Sequence, residues 1–232
     1  MTSAAGTLEL WDALAAAPQA ARGAVVLVAR GLSADLASAC ERPLAEASAA
    51  ALDELRERGG STLDTVIACP RCAALMEVPL ELDLFADDPF AGESVVGDGG
   101  DVVVRAPTTT DLLEALATDD PAATLRERCV AWPTGADDDL RARADHAVDA
   151  AVERAVGAAG ATIRVECPDC GATVSADVDV VRLLVDRVTE HAQTVLAEVA
   201  ALARAYGWTE SEILSIPEAR RRVYLALARG GG

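Results

Sequence analysis

Cys69-Pro70-Arg71-Cys72 and Cys167-Pro168-Asp169-Cys170 decide the reading of this chain. Each pair follows a β-branched run, Thr65-Val66-Ile67 before the first and Thr162-Ile163-Arg164-Val165 before the second, and each precedes an alternating run. Two residues between cysteines let one tight turn aim both sulfurs at a single ion, and four soft thiolates satisfy a tetrahedral zinc. One such pair is weak evidence. Two of them, each between strands, read as halves of one site, so the expected ligands of one structural zinc are Cys69, Cys72, Cys167 and Cys170. The halves stand 94 residues apart, against the roughly 15 to 20 of a compact ribbon. Loop closure becomes costlier only slowly with length, so so long an insertion is tolerable. Gly171 suits the left-handed turn after the second pair, whereas Ala73 stands at that position after the first.

Two other readings of the cysteines stay open: four buried thiols without metal, and a redox pair. Against the second, neither pair opens a helix in a βαβ unit. Four thiolates leave no open position for catalysis. Neither His146-Ala147-Val148 nor His191-Ala192-Gln193 supplies the glutamate of a zinc deaminase. The chain contains no Ser-His-Asp set, P-loop or dinucleotide fingerprint, so the expectation is a protein that is not an enzyme and has no small-molecule substrate. Cys40 and Cys129 read as small core residues.

Outward from the knuckles the pattern is helical. Leu8, Trp11, Leu14 and Ala15 predict one helix, Val25 to Leu32 a second, and Leu44 to Arg58 a third that Gly59-Gly60 stops. Leu75 to Leu82 alternates as a strand, with Pro79 placing it at an edge. Glu81 to Asp101 holds seven acids, no base, a proline and four glycines, and reads as an exposed loop. Asp101 to Arg105 is a short strand. Helices follow from Leu112, from Asp120-Pro121 to near Cys129, and from Asp137 to Val156. After a strand over Thr173 to Val178, the longest helix runs from Asp179 to Tyr206. Thr209-Glu210-Ser211-Glu212 and Ser215-Ile216-Pro217-Glu218 read as two capping boxes opening the last two helices. The fold class is α+β, mostly helical: a split zinc ribbon (61–86 and 161–178) with helical segments before it (1–60), between its halves (87–160) and after it (179–232).

At 232 residues the chain buries a core without needing metal to compensate for size. Its net charge is −18, and all 20 basic residues are arginine. Such a field repels phosphate backbones, which argues against a zinc-ribbon regulator that binds nucleic acid, the main alternative function. Only Arg71 and Arg164 lie near the knuckles. The amino terminus carries no secretion pattern and no uncharged run reaches the ~18 residues of a membrane span, so the expected location is the cytoplasm, with no membrane partner.

The ending Ala205-Tyr206-Gly207-Trp208-Thr209-Glu210-Ser211-Glu212-Ile213-Leu214-Ser215-Ile216-Pro217, followed by Arg220-Arg221-Arg222-Val223-Tyr224-Leu225, resembles that of the T-even-phage-type baseplate hub assembly chaperone family, which has relatives beside contractile injection systems. The order of parts is similar too: helical start, CPxC knuckle, middle helices, CPxCG knuckle, long helix, YGW ending. Ala73, in place of glycine, departs from it. The resemblance implies a role in tail baseplate assembly, with hub or spike proteins as partners and possible incorporation into the assembled particle. Tyr206, Trp208 and Tyr224 beside Arg220, Arg221 and Arg222 have the composition of an interface hot spot; alternatively, Trp208 and Tyr224 pin the last helices to the long one.

Overall fold

The computed structural model describes residues 3–85, 93–97, 100–157 and 161–230. They are mostly helical, with small antiparallel sheets. α1 (Ala4–Ala16) starts at Ser3, whose hydroxyl accepts the Gly6 amide. α2 (Arg22–Ala29) stops short of Leu32, which the periodicity assigns to it and which stays exposed. A helix of five residues, α3 (Leu36–Cys40), is held by reciprocal capping of Asp35 and Ser38 and is too short to announce itself by apolar spacing. α4 (Leu44–Gly59) agrees with expectation.

β1 (Thr62–Ala68) and β2 (Leu75–Glu81) form a two-stranded antiparallel hairpin. Its hydrogen-bonded pairs include Leu82 with Ser61 and Cys69 with Ala74. The alternation between them turns the backbone of Leu75, Glu77 and Pro79 away from β1. Pro79 therefore removes no bond from the ladder, which is why the strand tolerates it.

The expected loop over Glu81 to Asp101 is corrected in part: β3 (Glu93–Gly97) pairs with β4 (Gly100–Val104), and β4 with a two-residue β5 (Val130–Ala131). Dense acids and glycines mask the short Ser94-Val95-Val96 run. The remainder of that stretch from 86 to 92, with 98 and 99, lies outside the described residues.

α5 (Thr109–Ala115) and α6 (Pro121–Cys129) begin at Thr108 and Asp120, both of which accept backbone amides in the first turn. α7 (Asp138–Gly157) covers the β3–β4–β5 sheet: Val102, Val104 and Val130 pack on Ala144, Val148, Ala151 and Ala155, small residues that allow close approach. β6 (Ala161–Glu166) and β7 (Thr173–Val178) make the second hairpin. α8 (Val180–Tyr206), α9 (Glu210–Ser215) and α10 (Glu218–Gly230) complete the chain. The Thr209–Glu212 capping box forms. The Ser215 box does not: Ser215 closes α9 and its hydroxyl donates to the Glu212 carbonyl, so α10 starts behind Pro217.

The chain divides into two compact units, Pro18–Val181 and Met1–Ala17 with Arg182–Gly232. α1 thus belongs with the carboxy-terminal helices, whereas the sequence segments it with residues 1–60. In that unit Leu8, Val195, Val199, Leu202, Ile213 and Leu225 form the core. In the larger unit α2 lies on α4 at Gly23, where an added Cβ would stand 2.9 Å from that of Ala47.

Candidate metal centre

The two hairpins repeat one turn. Cys69 donates its amide to Ala74 O at 2.8 Å and accepts that of Ala73 at 2.8 Å; Cys167 does the same with Ala172 and Gly171, both at 2.9 Å. Strands entering and leaving at matching register place each cysteine pair at the tip of its hairpin. Met76 and Val174 pack beside the sulfurs, with Ile67, Val78 and Val165 around them. This apolar seat joins the hairpins and brings all four Sγ atoms within 4.8 Å of one another. Cys69 Sγ lies 3.7 Å from Cys170 Sγ, and Cys72 Sγ 3.6 Å from Cys167 Sγ. Cys69 and Cys167 are buried, Cys170 is half-buried and Cys72 exposed; all four are free thiols. The arrangement can hold a metal ion, and it leaves out Cys40 and Cys129, as the sequence predicts.

The electrostatics fit a cation. The amides of Cys72 and Arg71 point at Cys69 Sγ and lower its thiol to about 7. The Ala74 amide likewise favours a Cys72 thiolate, but burial and the three neighbouring sulfurs outweigh it and push that thiol up to about 12. Cys170 is also raised: the Ala172 amide and Cys72 pull it down, but desolvation and the Cys167 and Cys69 sulfurs outweigh them. Backbone amides thus support ionised sulfurs, while crowding forbids four negative charges together unless a positive ion sits among them.

Ala73 and Gly171 close the two turns with φ of +60° and +66°. The left-handed region suits glycine and strains alanine. Ala73→Gly is therefore expected to stabilise the metal-bound protein by about 0.5–1 kcal/mol, and Gly171→Ala to cost a similar amount. Thermal unfolding of the two variants reads both signs.

The other residues singled out by sequence fall in the smaller unit. Tyr206 stacks on Trp208 with ring centroids 4.6 Å apart, Tyr224 meets both edge-on at 5.9 and 5.0 Å, and Tyr206 Oη donates to Tyr224 O. Trp208 and Tyr224 also pack on the core. Arg220 is exposed; Arg222 is exposed and pairs with Glu218. Arg221 is turned inward instead, 3% exposed, with Nε 2.7 Å from Glu198 and Nη1 donating to Ile216 O. Its position in the RRR run gives no sign of this, because Glu198 lies 23 residues earlier.

Sequence reasoning missed one cluster altogether. Asp111, 1% exposed, accepts hydrogen bonds from Arg105, Arg128 and the Thr108 amide. The convergence of Arg105 and Arg128 on it from either side leaves no mark in the local sequence.

The chain matches no family model, no curated protein and no solved structure.

Proposed function

We propose that the chain is a non-enzymatic assembly protein of a phage-like tail baseplate, a hub assembly chaperone or baseplate component, built on a split zinc ribbon. One structural zinc bound by Cys69, Cys72, Cys167 and Cys170 clamps segments far apart in sequence. The observation that carries the zinc assignment is the sulfur spacing. Four thiolates bound tetrahedrally at about 2.3 Å stand about 3.8 Å apart, close to the 3.7 and 3.6 Å of two of the sulfur pairs between the hairpins, with all four sulfurs within 4.8 Å of one another. A filled four-sulfur shell has no site for water or substrate, which supports a structural role. No helix among the described residues is long and apolar enough to cross a membrane.

The assembly role rests on the resemblance of the knuckle order and the Tyr206 to Tyr224 ending. The aromatic cluster supports it, since stacked tyrosine and tryptophan with arginine at the rim suit an interface anchor. Arg221 serves the fold in this reading, leaving Tyr206, Trp208, Tyr224, Arg220 and Arg222 to face a hub or spike protein. Co-purification of tagged chain with hub or spike proteins, lost in a Tyr206→Ala, Arg220→Glu variant that remains folded, is the expected result. Normal particle assembly after deletion of the gene would overturn the reading.

A further inference from the structure

The two hairpins supply an internal comparison. They share one turn, one register and one sulfur-bearing face, so the fold makes the same demands of both. On the face turned away from the core, the first carries Val66, Ala68, Leu75 and Pro79; the second carries Arg164, Glu166, Thr173 and Asp177 at the equivalent positions. All eight are exposed, Val66 at 59% and Leu75 at 75%. Polar residues satisfy this face in one hairpin, so folding does not explain the apolar ones in the other.

Beside this patch runs an open groove of about 590 Å³, walled by Leu75 to Pro79 of β2 on one side and by Val165, Glu166 and Pro168 on the other. The backbones of Leu75 and Glu77 point away from β1, and that of Glu166 points away from β7, by the alternation of each ladder. The groove is thus bordered by peptide groups that no strand among the described residues engages. Its charged side chains are Glu77 and Glu166, with no base among its walls, and Asp64 and Glu81 flank the apolar patch on the same outer face.

We propose that this groove and the Val66–Leu75 face form a docking site for a short extended segment of another protein that carries, on one face at every second position, apolar residues and lysine or arginine in turn. The segment lies along β2 and bonds to the free peptide groups of Leu75 and Glu77; because Leu75, Glu77 and Pro79 share one face, side chains two apart on the segment meet them in turn, an apolar one on Leu75, a cation beside Glu77 and an apolar one on Pro79. Pro79, which has no N–H, limits the bonded stretch to the knuckle end of the strand. The proposal stands apart from the baseplate reading and needs only the paired hairpins.

A fluorescein-labelled octapeptide Val-Thr-Lys-Thr-Val-Thr-Lys-Thr, whose one face carries valine and lysine in turn, tests it by anisotropy on the full chain with its metal bound. Saturable binding is expected, weakened at least tenfold by Val66→Thr with Leu75→Thr. These substitutions leave net charge unchanged, and Leu75→Thr copies the residue that the second hairpin already carries, so metal content and thermal midpoint should hold. Glu77→Gln should weaken binding as well, and an octapeptide with glutamate for lysine should not bind. Any of three results overturns the proposal: no binding, equal binding by the threonine variant (attachment to the acidic protein by charge alone), or concentration-dependent self-association that the threonine variant abolishes, which would assign the patch to a second copy of the chain.

Discussion

Replacing Cys69 or Cys167 by serine is expected to release the bound metal and lower the thermal midpoint by on the order of 10 °C. Both sulfurs lie inside the apolar seat with Met76 and Val174, so losing either removes a ligand and leaves a polar hydroxyl among apolar neighbours. A strong chelator should reproduce the loss in the wild-type chain. Metal analysis should give one ion per chain before treatment and none after, while Cys40→Ser should keep its metal. Acid should act in the same direction, because the ligands are bound as thiolates and protons compete for them. Cys72, whose thiol is pushed up to about 12, is ionised near neutrality only through the metal, so occupancy falls steadily as pH is lowered. Retention of metal and midpoint by both serine variants would sink the site.

Asp111→Asn should cost about 3 kcal/mol at neutral pH, at the lower end of the range for breaking a buried ion pair because Arg105 and Arg128 remain partly hydrated. The substitution replaces one of the two acceptor oxygens that Arg105, Arg128 and Thr108 share by an amide nitrogen and leaves two guanidinium groups without their shared anion. Burial alone would raise the Asp111 carboxyl, but Arg105, Thr108 and Arg128 more than reverse this and hold it well below the usual carboxylate range. The folded pKa being depressed, the stabilisation is complete above the ordinary aspartate range of about 4 and disappears as pH falls below it. Urea unfolding of wild type and variant should therefore differ clearly at pH 7 and progressively less toward pH 2. A difference that persists unchanged in acid would show that the carboxylate charge is not what stabilises the fold.

What could be read from the sequence follows the range over which each signal acts. The knuckles, the helix starts at Asp120 and Thr209, and the long α8 are set by neighbours within a few positions, and all were legible. The paired cysteines were also legible across 94 residues, because metal chemistry restricts the choice of partner so tightly. Signals that depend on tertiary company were not. β3 is strand only because β4 lies beside it, and β5 has just two residues. Asp111 looks like any first-turn acid until Arg105 and Arg128 arrive, and Arg221 looks like its exposed neighbours until Glu198 meets it. The exposed apolar face of the first hairpin was visible as letters but carried no meaning until the second hairpin showed what that face can be.

The distance in sequence between the two knuckles also governs how the protein is made. Cys69 and Cys72 leave the ribosome long before Cys167 and Cys170 exist, so a nascent chain offers a metal only two of these four sulfurs while the residues between the knuckles are being synthesised. Full coordination waits for residue 170 of 232. In the proposed zinc ribbon, metal loading would therefore be a late event in biosynthesis.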